Sequence, residues 1–139
     1  MDNRALNYLA LAKKGRLVEL GEEPVGAVTR AVKARLVVVA IDASDHTWRR
    51  AKSFVAGTDQ QCLRVPFSKE ELGFVVGRTS LAIAAFTDAA MALAFVKALP
   101  DQEKVKEVRE TLEAKSKKLR QRKDEAKAHE RNVRMGKKK

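Results

Sequence analysis

The chain is poor in the residues that most often carry chemistry. Cys62 is the single cysteine among 139 residues, so no intramolecular disulfide can form, and a zinc site would have to recruit His46 and His129 from distant places. That usage reads as an intracellular protein without a metal or other cofactor. Aromatic residues make up only 5%, which argues against base-stacking platforms of the kind single-strand binders use. No G-x-G-x-x-G follows a strand, no Walker loop is present, and no His pair has metal-binding spacing. Long apolar runs are also missing. The best of them, Leu81 to Leu99, is interrupted by Thr87, Asp88 and Lys97 and reads as a strand, a turn and a helix, not as a membrane span. The N-terminal segment has too short an apolar core for a secretory signal. The expectation is a cytoplasmic, monomeric protein with no membrane contact.

Positive charge is what the sequence has in excess: 29 Lys and Arg against 18 Asp and Glu give +11, with a sequence pI near 10.0. Such a balance points to a polyanionic partner, either nucleic acid or an acidic membrane surface. The excess is uneven. Residues 1–100 hold 14 cations against 10 acids, whereas 101–139 hold 15 against 8. One domain over 1–99 and a basic helical tail over 100–139, its distal end disordered, is the organisation this implies.

Within the first part, Leu6, Leu9, Ala10 and Ala12 mark a short helix that Gly15 would end in a left-handed cap. Leu17 to Leu20 reads as a strand. Gly21-Glu22-Glu23-Pro24 opens a second helix, because Pro fits a first turn and carboxylates suit the positive end of the dipole, with Val25, Val28 and Val32 as its buried stripe. Arg35 to Ile41 is a Val-rich central strand. Ser44 or Asp45 caps a helix running to Ala56, and Gln61 to Val65 is an edge strand before Pro66. Ser68-Lys69-Glu70-Glu71 is a capping box whose helix ends at Gly77. Leu81 to Phe86 is a further apolar strand, and Thr87 or Asp88 caps a helix over Ala89 to Leu99. The alternation predicts an α/β fold, a three-layer α/β/α sandwich around a four-stranded mixed sheet. Asp101 then caps a long solvated helix, packed near Val105 and frayed beyond Leu119.

Candidate catalysts are weak. Ser44, Asp45 and His46 are adjacent, so their side chains diverge and cannot form a relay; Asp42 has no second carboxylate in an obvious relation to it. Neither is assigned a catalytic role, and the expectation is that the chain is not an enzyme. What recurs is cations at element ends: Lys13, Lys14 and Arg16, then Arg30, Lys33 and Arg35, then Arg78-Thr79-Ser80. These can contact successive phosphates, and the backbone N–H groups at Gly21-Glu22-Glu23 can bind a phosphate or ribose edge. Scattered solubilising charge accounts for the same composition equally well.

Four segments, in order and spacing, carry a resemblance: Leu20-Gly21-Glu22-Glu23, Lys33 through Ser44, Leu72-Gly73-Phe74-Val75-Val76-Gly77-Arg78, and Ala84-Ala85-Phe86-Thr87-Asp88. Together they resemble the kink-turn-binding ribosomal protein superfamily, most closely its small bacterial YlxQ-type branch, over residues 4 to 99. The resemblance implies non-catalytic, ribosome-associated binding of a kink-turn, a sharply folded internal loop with tandem G·A pairs. By position it assigns Gly21, Glu22 and Glu23 to the G·A pairs; Arg30, one turn beyond Ala27, can reach part of the space where the family pattern has a cation at position 27. It assigns Lys33 and Arg35 to the basic pair before the central strand, Asp42 to that strand's rim, and Arg78, Thr79, Ser80 and Leu81 to the loop over the bulged nucleotides. Two positions depart from the pattern of strong binders, which carry Asn-Glu where this chain has Glu23 and Pro24, and Lys where it has Ala27.

The tail lies outside that pattern. Twelve Lys and Arg against three acids after Ala114, among them Lys115, Lys117, Lys118, Arg120, Arg122 and Lys123, would grip phosphates with a steep salt dependence. Two other readings remain open: a protein-interaction module on the same fold, and nonspecific nucleic-acid binding by the tail alone.

Overall fold

The computed structural model describes residues 4–118 and Glu125. The elements are α1 (Arg4–Lys14), β1 (Val18–Leu20), α2 (Glu22–Arg30), β2 (Leu36–Val39), α3 (Asp45–Val55), β3 (Gln61–Arg64), α4 (Lys69–Val75), β4 (Ile83–Phe86) and α5 (Ala89–Lys97). A sixth helix, α6, occupies 106–118 of the described residues. The strands form one sheet in the order β1-β4-β2-β3. β4 is antiparallel to both neighbours, and β2 is parallel to β3, so the sheet is mixed. Helix contacts group α1, α4 and α5 on one side and α2 with α3 on the other, which gives the three-layer α/β/α sandwich.

The centre of the sheet is where the apolar runs predict it. All four residues of β2 and all four of β4 are buried, because helices cover both faces. Phe86 stacks against Phe95 of α5 with ring centroids 5.0 Å apart. β3 lies at the edge, with Leu63 buried and Gln61, Cys62 and Arg64 half-buried. Three helix starts are fixed by side chains: Ser44 accepts from the Thr47 N–H, Asp88 from the Met91 N–H, and Ser68 with Glu71 completes the capping box.

The helix ends differ from the sequence expectation in two places. Gly15 does not take the left-handed position; Arg16 does, at φ 59. The Leu17 N–H reaches back to the Ala12 carbonyl at 2.8 Å and the Arg16 N–H to Lys13 at 3.2 Å, so the closing register of β1 sets the cap one residue beyond the glycine. At the end of α2 the same motif recurs, with Lys33 bonded to the Val28 carbonyl and Val32 to Thr29. Val32 therefore sits at φ 56 and is 52% exposed, not in the buried stripe. Val25 alone of the three predicted stripe residues is fully buried.

A β-branched residue is strained at such a φ, by about 1–2 kcal/mol for the left-handed conformation. Glycine relieves that strain but loses roughly 0.5–1 kcal/mol of backbone entropy on folding. Val32→Gly is accordingly expected to stabilise the protein by about 1 kcal/mol, read as a higher urea midpoint at unchanged slope; a lower midpoint would refute the strain.

Helix α6 belongs to the same core. Val105 is 3% exposed and Leu112 is fully buried. Its start lies beside Arg64 and Pro66 at one end of β3, and Lys115 pairs with Asp59, just before the other end, at 2.8 Å. The helix thus runs back along the edge strand. Gln102 donates through Nε2 to the carbonyls of Val96, Lys97 and Leu99, which closes the end of α5 and ties it to the start of α6. Asp101 accepts from the Lys104 N–H at 3.2 Å, so it caps the turn that leads in. The expected fraying beyond Leu119 and the disordered distal end fall outside the described residues.

Candidate nucleic-acid interface

The register sorts the sequence-derived site residues into two groups. β1 and β2 both begin opposite Phe86, and both run toward the start of β4. Whatever follows β1 or β2 therefore gathers at one end of the sheet with whatever precedes β4. Gly21, Glu22 and Glu23 follow β1, Asp42 follows β2, and Arg78, Thr79 and Ser80 precede β4. Arg30, Lys33 and Arg35 precede β2 and so lie toward the opposite, Phe86 end, with Arg30 about 12 Å from Glu22 along α2 at 1.5 Å per residue. They are not brought to the Gly21 end.

At the Gly21 end, the parts are held closely. The Gly21 N–H donates to the Ile83 carbonyl at 3.0 Å, which anchors the start of α2 to the start of β4. Gly21 adopts φ 98, and a Cβ there would lie 3.7 Å from Nη1 of Arg78. No side chain caps α2, so the Glu22 and Glu23 N–H groups of its first turn have no capping partner, and Pro24 has no N–H to satisfy. Glu22 pairs with Arg50 of α3 at 2.9 Å. Glu23 and Arg78 are exposed and have no ion pair among the described residues.

The loop before β4 is fastened to α4. The Arg78 N–H donates to the Gly73 carbonyl at 2.8 Å and the Leu81 N–H to that of Lys69 at 2.9 Å. Asp42 accepts from the Lys69 N–H at 2.9 Å, so this carboxylate extends the cap of α4 and links it to the end of β2. Leu81 is 3% exposed and its side chain belongs to the core; Thr79 and Ser80 are exposed.

Charge is divided between the ends. Glu22, Glu23, Asp42, Glu70 and Glu71 gather at the Gly21 end with Arg78, Lys69 and the Arg50 that pairs with Glu22. The Phe86 end carries Lys13, Lys14, Arg16, Arg30 and Lys33, all exposed, and half-buried Arg35. β1 and β2 flank β4 there, so the two clusters are separated by about 10 Å, two strand spacings. Asp59 lies near this end, but Lys115 hydrogen-bonds to it and holds its carboxyl below the usual carboxylate range. That pairing contributes above the ordinary carboxylate pKa and is lost as pH falls through the lowered value. Lys115 is thereby engaged with Asp59; Lys117 and Lys118 are exposed. Arg120, Arg122 and Lys123 lie outside the described residues.

Two features were not singled out by the sequence. Phe74 is 82% exposed on α4, although its place two residues from buried Leu72 and Val76 puts it off the buried stripe and could have revealed it. Arg50 is the second, since it lies one helix away from the Glu22 it pairs with. Burial pushes the Cys62 thiol up to about 11, which suppresses its thiolate at neutral pH. Among the described residues no cluster of His, Cys, Asp and Glu could hold a metal ion, and no helix is long and apolar enough to cross a membrane.

No protein-family model and no curated protein matches the sequence. Solved structures do match. A Bacillus halodurans protein of unknown function superposes with a TM-score of 0.64 at 23% identity, covering 70% of this chain and 98% of its own. The Giardia lamblia 15.5kD RNA binding protein superposes with a TM-score of 0.54 at 18% identity, covering 76% of this chain and 87% of its own. At these identities the likeness is one of fold.

Proposed function

We propose that the chain is a non-catalytic RNA-binding protein, associated with the ribosome, that recognises a kink-turn or a related structured RNA at the Gly21 end of its sheet. The observation that carries this reading is the junction of the uncapped α2 start with the Arg78 loop. The Glu22 and Glu23 N–H groups and the Arg78 guanidinium supply donors there, and the exposed carboxylate of Glu23, in the same first turn, supplies an acceptor. A carboxylate accepts from the N1–H and N2–H of a guanine, the edges that sheared G·A pairs present, and RNA of this kind is read by shape and exposed base edges. The same carboxylates repel phosphate, so backbone contact at this end falls to Arg78. The fold shared with the Giardia RNA binding protein supports the reading.

The test is binding of the full chain to a kink-turn RNA and to a matched duplex lacking the G·A pairs, at two salt concentrations. A preference for the kink-turn that widens at the higher salt is the expected result, because the charge-driven component is the one that salt removes. Equal affinity for both RNAs at both salts would leave only nonspecific polyanion binding.

A further inference from the structure

Phe74 is anomalous among the phenylalanines, since the other four are buried or half-buried. Its ring lines a groove of about 770 Å3 between α1 and α4, together with Leu6, Asn7 and Val75. Arg78 and Thr79 of the loop before β4 also line it, as do Glu70 and Glu71. The volume lies within the range of pockets that hold small organic ligands. Its lining combines an aromatic ring and aliphatic side chains with an amide and two carboxylates able to bond a ring edge, and a cation without an ion pair among the described residues.

We infer that this groove takes one single-stranded nucleotide flanking the folded RNA, its base stacked on Phe74 and its phosphate on Arg78. The inference rests on the RNA-binding reading and extends it to a second contact. Glu70 disfavours a phosphate deep in the groove, whereas a base is neutral and can donate to that carboxylate, so the polarity of the site matches that of a nucleotide entering base first. Continuity favours the same occupant. Arg78 lines this groove on one side and approaches Gly21 on the other, so an RNA at the Gly21 end reaches the groove by extending one nucleotide past the loop. Stacking of a base on an aromatic side chain is tolerant of sequence, so the groove selects an unpaired base and not a particular one.

The experiment uses the full chain and a kink-turn RNA in two forms, blunt and with a short single-stranded extension at either end carrying 2-aminopurine. For the native protein, one extended form is expected to bind about tenfold more tightly than the blunt form, with quenched 2-aminopurine fluorescence. Phe74→Ala should abolish both the gain and the quenching while binding the blunt RNA as before, and Phe74→Trp should retain them. Phe74 is exposed, so an unchanged unfolding midpoint verifies that the variant is folded. Extended and blunt RNAs bound alike, with the kink-turn still preferred over duplex, overturn the groove assignment alone and leave the groove to a protein partner. A chain that binds neither folded RNA overturns both readings.

Discussion

Replacing Leu112 by alanine lowers the unfolding free energy by about 3 kcal/mol, within the 2–5 kcal/mol typical of buried Leu truncations. Leu112 is fully buried in α6 and shares one apolar cluster with the sheet. The truncation removes three heavy atoms from a packed site and leaves a cavity that the sheet, held from its other face by α2 and α3, cannot close by collapsing. The internal control is Leu11→Ala on α1, where the side chain is 51% exposed and the change should stay within about 0.5 kcal/mol. Chemical denaturation of both variants decides the matter: equal losses, or none, would mean that α6 does not pack as described. The same residue bears on how RNA binding is dissected. A chain cut after Pro100 lacks Val105 and Leu112 as well as the basic residues that follow, so a loss of affinity in it mixes instability with lost charge.

Gly73→Ala is the second large effect, a net loss of about 2 kcal/mol. Alanine in a helix is favoured over glycine by roughly 1 kcal/mol, so intrinsic propensity alone predicts a gain. Against it stands the packing of α4 on the loop before β4. A Cβ at Gly73 would lie 2.8 Å from the backbone N and Cα of Ser80 and 2.9 Å from the Arg78 carbonyl oxygen. These are backbone atoms and cannot rotate away, so either the helix or the loop must shift, at the upper end of the 1–3 kcal/mol usual for overpacking. Gly57→Ala separates this steric cause from conformational strain, because Gly57 has φ 76 with open space around it. The Gly73 variant should also bind the kink-turn more weakly, since the atoms it displaces belong to Arg78 and Ser80. A variant as stable as the native protein would show that the close approach is not needed.

Much of the fold was legible because local chemistry and tertiary position agree. The Val run of β2, the apolar β4, the Ser68 capping box and the caps at Ser44 and Asp88 each combine a strong local preference with a matching place in the sandwich. The misreadings occur where chain geometry overrode the local preference. Gly15 is the better left-handed residue, yet Leu17 must enter β1 with its N–H on the Ala12 carbonyl, and that register moves the left-handed position to Arg16. Val32 continues the spacing of Val25 and Val28, but α2 stops at Arg30 and helical periodicity carries no information beyond the last turn. The candidate site was legible in its residues and not in its layout. Strand direction alone separates Lys33 and Arg35 from Gly21 and Arg78, and direction depends on β4 inserting antiparallel between β1 and β2, which no short motif encodes. Phe74 was legible only through its spacing from Leu72 and Val76, which puts it off the buried stripe of α4.

The division of charge between the two ends of the sheet separates encounter from recognition. A polyanion diffusing toward the molecule is drawn first to the Phe86 end, where Lys13, Lys14, Arg16 and Lys33 offer the stronger field, while the hydrogen-bonding edge lies at the other end among carboxylates. Early collisions at low ionic strength are therefore captured in the wrong orientation, and the complex must turn over or let go before the edge is engaged. Added salt shortens those captures more than it weakens the hydrogen-bonded edge. For an RNA that fits the Gly21 end, the productive association rate should pass through a maximum as salt is raised, in place of the monotonic fall seen when attraction and fit share one face.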